Sequence, residues 1–245
     1  MIVNAAAYTA VDKAESEPEL AMSINGDAPR IIAEEAARLK ALLVHYSTDY
    51  VFDGKKTEPY HEPDAPNPLS IYGQTKLAGE RGVQEVDGVY LLFRLCWGYG
   101  ARGHNFMLTI MRLAGEREQL WVISDQIGSP TWSRMIAEVT ALVLARRALD
   151  PAARATKGIY HLSASGHTSW HGFAEAVIAR MDPAQRKCQK IAAIPTREYP
   201  LPAKRPANSV LSCVKLKETF GIALPRWEES LDLVLEKPQL PIQSA

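Results

Sequence analysis

Hydrophobic and polar positions along the chain alternate in blocks that predict strands and helices in turn. Short apolar runs rich in β-branched and aromatic residues predict buried strands, in order IVNAAAY, ALLVHYSTDYVF, GVYLLFRLCW, QLWVISD and GIYHLSA. Longer stretches with one apolar face predict helices, in order PELAMSINGDAPRIIAEEAARLK, a segment from about Ile71 to Glu85, HNFMLTIMRLAGE, SRMIAEVTALVLARRAL and SWHGFAEAVIARM. This alternation predicts an α/β fold with a Rossmann-like, mostly parallel, doubly wound sheet.

Composition and charge narrow the classes of function. Of the 245 residues, 28 are Lys or Arg and 28 are Asp or Glu, so no overall field attracts nucleic acid or an anionic membrane. The apolar run at 2–11 lacks a basic flank and is too short for a signal peptide or membrane span. Cys96, Cys188 and Cys213 are too widely spaced for a CxxC metal site, and their odd number argues against a disulfide framework. We therefore expect a cytoplasmic protein that binds neither nucleic acid nor membrane.

A tyrosine and a lysine four residues apart lie at the start of the second predicted helix. Ser70 is placed to cap this helix, so Tyr72 and Lys76 share one helical face with Cβ atoms about 5–6 Å apart. A nearby ammonium favours the phenolate, and such a pair can exchange a proton with a carbonyl or an alkoxide. A chain with nine tyrosines also contains such pairs by chance, so an ordinary surface pair is the alternative.

Hydroxyl residues end the strand that precedes the long polar loop. Ser47 and Thr48 stand where an α/β sheet places its ligand crevice, outside the carboxyl ends of its strands. A third polar group can therefore meet Tyr72 and Lys76. Taken alone, Thr48 is better explained as an ordinary β-branched strand residue.

Six strings stand in order over nearly the whole chain: NAAAYTAVDKAESEPELA, HYSTDYVFDG, PLSIYGQTKLAGE, DQIGSPTW, YHLSASGHTSW and PAKRPANSVL. In these strings the chain resembles the dTDP-4-dehydrorhamnose reductase family of the extended short-chain dehydrogenase/reductase superfamily. The resemblance implies hydride transfer from NADPH or NADH to the C4 ketone of dTDP-4-dehydro-L-rhamnose. The product would be dTDP-L-rhamnose for bacterial cell-surface polysaccharides.

The resemblance also implies roles for individual residues. Tyr72 would donate the proton to the C4 alkoxide, Lys76 would lower the pKa of Tyr72 and bind the nicotinamide ribose, and Thr48 would hydrogen-bond the substrate oxygen. The cofactor would be lined by Tyr72, Lys76, Ala6, Ala7, Tyr8 and Thr9. The nucleotide sugar would contact Thr48, Asp49, the indole face of Trp97 and, at its diphosphate, Arg205 and Asn208.

Two regions with different tasks follow from the resemblance. Residues 1–150 would form a partial dinucleotide-binding domain, and residues 151–245 a smaller substrate-binding region interleaved with it. Prolines beyond residue 190 favour a loop-rich cap over further sheet there. Family members begin with a strand and a glycine-rich turn for the pyrophosphate, and nothing before Asn4 has that pattern. We therefore expect this polypeptide alone to bind NADPH weakly or not at all, and a homodimer is one way to cover an unpaired sheet edge.

A second glycine pattern offers an alternative cofactor turn. Gly98, Gly100 and Gly103 spell GxGxxG after a strand and before a helix, with Asp125 at the end of the next strand. The resemblance instead puts this segment at the substrate loop, and Arg102 would crowd a phosphate turn. We predict that the pattern is not the cofactor site.

A histidine pair is the one hint of a metal site. His167 and His171 are four residues apart, but the sequence shows no third ligand cluster beside them. A helix cap at Thr168 or Ser169 explains the segment better. We therefore predict no metal.

Departures from the family pattern leave other functions open. Leu95 and Cys96 stand where the family usually has a hydroxyl pair, Gly98 where valine is common, and Val210 where arginine often follows. A non-catalytic nucleotide-sugar-binding or regulatory remnant is one alternative. An NAD-dependent epimerase or dehydratase acting on another nucleotide sugar is a second.

Overall fold

The computed structural model describes residues 1–236. The strands of this part of the chain are β1 (Ile2–Asn4), β2 (Leu43–Thr48), β3 (Tyr90–Leu95), β4 (Gly98–Tyr99), β5 (Gln119–Ile123), β6 (Ile127–Gly128), β7 (Thr131–Trp132), β8 (Gly158–Leu162), β9 (Thr168–Ser169) and β10 (Lys190–Ile194). The α-helices are α1 (Val11–Ala14), α2 (Pro18–Met22), α3 (Ala28–Arg38), α4 (Ile71–Glu85), α5 (Phe106–Glu116), α6 (Ser133–Leu149), α7 (Pro151–Ala155), α8 (Trp170–Ala179), α9 (Val214–Phe220) and α10 (Trp227–Glu236). Short turns of other helical types are Ser23–Asp27 (π), and Asp49–Val51, Pro183–Gln185 and Thr196–Glu198 (3-10).

Four strands form one parallel sheet in the order β1, β2, β3, β8. The register pairs Val44 with Leu91, and Leu92 with Ile159. The two central strands are mostly buried on both faces, which is why their sequences are nearly continuous apolar runs. The predicted α/β fold with a mostly parallel sheet is confirmed.

Helices cover both faces of this sheet. On one face, Ala36 of α3 and Val83 of α4 pack with Leu43 of β2. On the other face, α6 and α9 pack against the side of β3 that carries Leu91 and Phe93. The sheet is therefore doubly wound, as the alternation of elements predicts.

Helix α4 has the predicted bounds and the predicted cap. The Ser70 side chain accepts a hydrogen bond from the Gly73 backbone N–H at 3.2 Å. A Cβ at Gly73 would lie 2.3 Å from the Tyr50 carbonyl oxygen, and one at Gly79 would lie 2.1 Å from the Asn25 carbonyl oxygen. Glycine at these positions lets α4 approach both the chain after β2 and the π-helical turn.

A smaller unit beside the main sheet is built on the parallel pair of β5 and β10. Leu120 and Val122 of β5 share a core with Ile110 of α5 and Phe173 of α8. Strand β5, which the alternation assigns to the main sheet, thus pairs elsewhere. The prediction of no further strand beyond residue 190 is wrong, because β10 precedes the prolines on which it rested. Helices α9 and α10 were also missed.

The core of the smaller unit draws on both of the predicted regions, 1–150 and 151–245. Helix α5 and strand β5 come from the first region, and helices α8 and α10 come from the second. Residues 237–245 of the second region lie outside the described residues. Within residues 1–236, no helix combines the length and the apolar character needed to cross a bilayer.

Candidate active site

Four polar side chains lie at or near the carboxyl end of β2, and we call them the strand-end cluster: Thr48, Asp49, Tyr72 and Lys76. Thr48 is the last residue of β2, Asp49 opens the following 3-10 turn, and the other two come from the first turns of α4. Thr48 exposes 6% of its surface, and Asp49 and Lys76 expose 2% each. The four residues thus come from the strand end and the helix start that the sequence singles out, and their shared role stays a prediction.

Tyr72 lies at the rim of this cluster with its ring edge-on to that of Tyr50, the ring centroids 5.9 Å apart. Burial raises the pKa of Tyr72 to about 12. Hydrogen bonding with Thr48 lowers this pKa, and the negative charge of Asp49 raises it further. Tyr72 therefore carries its proton at neutral pH, which is the form that a proton donor needs.

Lys76 lies deeper than Tyr72 and is directed at the backbone of β2. Its ammonium donates a hydrogen bond of 2.7 Å to the Tyr46 carbonyl oxygen. Burial lowers the pKa of Lys76 to about 8, and Glu80 on the next turn of α4 acts in the opposite direction. The groups that shift the pKa of Tyr72 are burial, Thr48 and Asp49, so tuning of Tyr72 by Lys76 stays a prediction.

A buried ion pair, missed by sequence reasoning, lies behind Lys76. Arg94 of β3 donates to both carboxylate oxygens of Glu80 at 2.7–3.2 Å. The exposed fractions of the Arg94 and Glu80 side chains are 2% and 0%. The Arg94 guanidinium also stands 5.0 Å from the centroid of the Phe52 ring. Such a pair ties α4 to the centre of the sheet.

Thr48 and Asp49 are joined by a side-chain hydrogen bond. Thr48 Oγ1 donates to Asp49 Oδ1 at 2.9 Å and accepts from the Tyr50 backbone N–H at 3.1 Å. Burial raises the pKa of Asp49 to about 6, against the hydrogen bond from Thr48 and smaller opposing effects of nearby Ser209 and Cys96. Asp49 is thus a carboxyl group that changes charge near neutrality, next to the candidate proton donor.

The loop after β1, residues 6–9, is held against α4 by one buried amide. Asn25 Oδ1 accepts from the Tyr8 backbone N–H at 2.9 Å. The same amide donates to the Tyr8 carbonyl at 3.0 Å and to Thr75 Oγ1 at 3.2 Å. Asn25 was missed, although an asparagine before Gly26 inside a helical pattern marks an irregular turn. Asn25 ties the predicted cofactor loop to the helix that carries Tyr72 and Lys76.

The residues predicted to line a nicotinamide cofactor have a fitting chemistry. Ala6 and Thr9 are exposed and Ala7 and Tyr8 are partly exposed, so the loop presents small side chains and backbone at the carboxyl end of β1. Lys76 has three N–H donors and, within residues 1–236, one hydrogen bond to protein, which leaves donors for ribose hydroxyls. The Tyr8 hydroxyl has another partner, because it donates to Glu17 at 2.8 Å.

Trp97 has less free surface than a sugar platform needs. Its ring stacks on that of Trp170 with centroids 3.5 Å apart and an angle of 6° between the planes. A Cβ at Gly128 would lie 2.4 Å from the same indole, and Trp97 exposes 8% of its surface. Trp97 also has a positive φ of 45°, so its placement is strained. The predicted contact between its face and the sugar stays a prediction.

Arg205 and Asn208 are already bound to other parts of the protein, and with Asp12 we call them the tail cluster. Arg205 forms a bidentate ion pair with Asp12. Its Nη2 donates to Oδ2 at 2.7 Å and its Nη1 donates to Oδ1 at 3.0 Å. Asn208 Nδ2 donates to the carbonyl oxygens of Lys56 at 2.8 Å and Glu58 at 3.3 Å. Asp12 was missed, because nothing local connects it to Arg205.

The glycine pattern at Gly98–Gly103 does not open a Rossmann-type unit. Gly98 belongs to β4, which pairs with β7, and Asn105 caps helix α5 by accepting from the Leu108 N–H. The following strand, β5, lies outside the main sheet. Asp125 accepts from the backbone N–H and the hydroxyl of Thr196. This agrees with the prediction that the pattern is not a cofactor turn.

The segment around the histidine pair is a helix start. Ser169 accepts from the Gly172 N–H at 3.0 Å and so caps α8, as predicted. His171 Nδ1 lies 3.3 Å from Glu175 of the same helix. Within residues 1–236, no group of three or more potential metal ligands occurs.

Comparison with known proteins identifies the family of the chain. The model of the RmlD substrate binding domain matches residues 1–240. The chain belongs to this family. It is 51% identical over 238 residues to a dTDP-4-dehydrorhamnose reductase of Burkholderia thailandensis, covering 95% of this chain and 80% of that protein. It is 46% identical over 239 residues to the same reductase of Escherichia coli K12, covering 97% and 79%.

A solved structure shows the same fold. A dTDP-4-dehydrorhamnose reductase of Bacillus anthracis, crystallised in complex with NADP, superimposes with a TM-score of 0.84 at 37% identity. The match covers 95% of this chain and 79% of that one. The predicted membership in the reductase family is confirmed.

Proposed function

We propose that this chain reduces the C4 ketone of dTDP-4-dehydro-L-rhamnose with NADPH, giving dTDP-L-rhamnose for cell-surface polysaccharides. Family membership and the identity of 51% and 46% to named reductases support the substrate class. The NADP complex of the Bacillus anthracis reductase supports NADPH as the cofactor. The observation that carries the proposal is the strand-end cluster, in which a protonated phenol lies beside a threonine hydroxyl with a buried ammonium behind them.

The cluster supplies the groups that ketone reduction needs. NADPH supplies the hydride when it is bound. Tyr72 donates its proton to the oxygen of the ketone as negative charge develops there. Thr48 hydrogen-bonds the same oxygen, and Lys76 holds the ribose and stabilises the phenolate that Tyr72 becomes. The Tyr8 segment of the loop positions the cofactor because Asn25 fixes it to α4.

Binding of the nucleotide sugar involves the tail cluster. Arg205 suits the diphosphate because a guanidinium forms two parallel hydrogen bonds with such oxygens. To do so it exchanges its present partner, Asp12, for the substrate. Asn208 shapes the same loop through its bonds to residues 56 and 58. Trp97 contributes an edge of its indole to the sugar, since its faces are largely covered.

The oligomeric state and the cellular location complete the proposal. Main-sheet strand β1 stands at an edge and Val3 exposes 47% of its surface, which supports a homodimer that covers this edge. Light scattering on the purified chain tests the oligomeric state. The three cysteines are unpaired, which supports a reducing, cytoplasmic location.

NADPH oxidation in the presence of the keto sugar tests the proposal. The assay uses millimolar NADPH, with NADH compared in parallel. Tyr72→Phe is expected to lower kcat by about 10²–10⁴-fold, because a general acid contributes that much. Tyr46→Phe is the matched control, since it loses a phenol that bonds Thr140 on the opposite side of β2. Absence of turnover in the wild type, with nucleotide-sugar binding retained, would favour the non-catalytic alternative.

A further inference from the structure

The Thr48 hydroxyl has a single hydrogen, and the structure directs it to Asp49. The donor oxygen Oγ1 lies 2.9 Å from Asp49 Oδ1. A hydroxyl that donates to a carboxylate has no hydrogen left for a substrate oxygen. Because Thr48 Oγ1 also accepts from the Tyr50 N–H, an ionised Asp49 leaves Thr48 one lone pair and no hydrogen to offer to the cleft.

Within residues 1–236, no cation balances the charge of Asp49. Cys96 from the chain after β3, Ser209 from the tail and the phenols of Tyr50 and Tyr72 lie close enough to its carboxyl to interact with it electrostatically. Asp49 forms no salt bridge within residues 1–236. The two cations of the site have other partners, Lys76 the Tyr46 carbonyl and Arg205 the Asp12 carboxylate.

We infer, on the basis of the proposed function, that Asp49 is a positioning residue that sets the direction of the Thr48 hydroxyl. A protonated Asp49 donates to Thr48 and turns the Thr48 hydrogen towards the ketone oxygen. An ionised Asp49 takes that hydrogen itself, and the substrate oxygen then has Tyr72 as its one donor from this pair.

No proton leaves Asp49 in the net reaction. C4 gains a hydride and its oxygen gains the Tyr72 proton, which gives an alcohol and a phenolate that recovers a proton from solvent. Thr48 adds a second hydrogen bond to the oxygen as charge develops on it, and such a donor acts most strongly in the transition state. The neutral Asp49 carboxyl is therefore the form that favours reduction.

The environment of Asp49 places this switch in an accessible range. Burial raises the pKa of Asp49 to about 6, and the hydrogen bond from Thr48, with smaller effects of nearby Ser209 and Cys96, acts in the opposite direction. Below this pKa the carboxyl is neutral and Thr48 is a donor to the cleft. As the pH rises through the Asp49 pKa, kcat/KM falls by up to about tenfold for each pH unit until it reaches a lower plateau.

The pH profile of kcat/KM for the keto sugar tests the inference. Wild type and Thr48→Ser should both lose activity as the pH rises past the Asp49 pKa, while Asp49→Asn and Thr48→Val should lack this limb. The NADPH 2′-phosphate also titrates near this pH, so the limb is assigned from the difference between variants. A limb that persists in Thr48→Val would mean that Asp49 acts on the substrate directly, and one that persists in Asp49→Asn would exclude Asp49. Either result, or a wild type without the limb, overturns the inference.

A second measurement does not need turnover, so failure of this inference and failure of the proposed function remain distinguishable. The protein is labelled with carboxyl-¹³C aspartate and titrated by NMR, with Asp49→Asn to assign the signal. Thr48→Val removes a donor that favours the ionised carboxyl, so the Asp49 midpoint should move to higher pH. Thr48→Ser keeps the donor and should leave the midpoint in place. An unchanged midpoint in Thr48→Val overturns the coupling even in a protein that reduces no keto sugar.

Discussion

The strand-end cluster and the tail cluster differ in how much bonding capacity they leave for a ligand. In the first, Lys76 uses one of its three donors within residues 1–236, and Asp49 Oδ2 has no hydrogen-bond partner there. In the second, both arms of the Arg205 fork bind Asp12, and the amide of Asn208 binds two carbonyls. One cluster is preorganised with free capacity, whereas the other must exchange partners to bind.

The two clusters also rest on ion pairs of different kinds. The Glu80–Arg94 pair behind Lys76 is buried, while the Asp12 side chain of the tail pair is 37% exposed. Removing one partner of a buried pair leaves an uncompensated charge, whereas a partly exposed pair such as Asp12 and Arg205 is screened more by water. The comparison teaches that rigidity is concentrated where the chemistry is proposed and that exchange is allowed where the nucleotide is proposed to bind.

The largest expected effect is on the buried pair. Glu80→Gln should lower the free energy of unfolding by about 3–5 kcal/mol, because Arg94 stays charged and buried without its carboxylate. Urea denaturation followed by circular dichroism measures the change. The double variant Glu80→Gln with Arg94→Met should recover much of the loss. A loss below 1 kcal/mol would erase the difference between the two pairs.

Asp49 gives a stability effect of opposite sign. Burial raises its pKa in the folded protein from 3.8 to about 6, so the folded state binds the proton more tightly than the unfolded state. Its stabilising contribution is complete below pH 3.8 and is lost as the pH rises through about 6. Asp49→Asn should therefore be more stable than wild type at pH 7 by up to about 3 kcal/mol, with little difference at pH 4. A pH-independent difference in denaturation would contradict this origin.

A variant of Asn25 tests whether the cofactor loop is held as rigidly as the strand-end cluster. Asn25→Ala removes three hydrogen bonds to Tyr8 and Thr75 and should cost about 1–3 kcal/mol of stability, since Tyr8 backbone groups lose their partners. The KM for NADPH should rise more than the KM for the keto sugar. Asn67→Ala, which removes a bond to Asp53 in an exposed loop, is the control and should change neither KM. Equal changes in both KM values would mean that the loop has no specific role in cofactor binding.

The smallest effect is expected in the tail cluster. Arg205→Met should raise the KM for the nucleotide sugar by about tenfold with little change in kcat, because a charge-assisted contact is lost at a distance from the ketone. Asp12→Asn removes the competing partner and should change stability by less than about 1 kcal/mol. Steady-state kinetics gives the split between KM and kcat. A loss in kcat alone for Arg205→Met would place Arg205 in the chemistry instead.

Local signals explain what the sequence predicts correctly. The bounds of α4 and the Ser70 cap follow from residues within one turn of each other. Thr48 at the end of β2 follows from the apolar run before it and from the rule that ligands bind outside the carboxyl ends of parallel strands. The reductase family follows from strings spread over the whole chain.

Long-range partners explain what the sequence leaves out. Asp12 and Arg205 are 193 residues apart, and Asn25 and Thr75 are 50 apart, so no spacing rule connects them. Strand β10 was missed because its pairing with β5 joins segments on either side of α6 and α8. The raised pKa of Asp49 results from burial against the tail, which a single sequence does not display.

A crystal structure of the chain with NADP⁺ and dTDP-L-rhamnose tests the central claim most directly. The account predicts the C4 hydroxyl of the sugar within about 2.6–3.2 Å of both Tyr72 Oη and Thr48 Oγ1, with the diphosphate on Arg205 after its release from Asp12. A sugar bound with its C4 hydroxyl beyond the reach of Tyr72, or with Tyr72 turned away from Thr48, would contradict it.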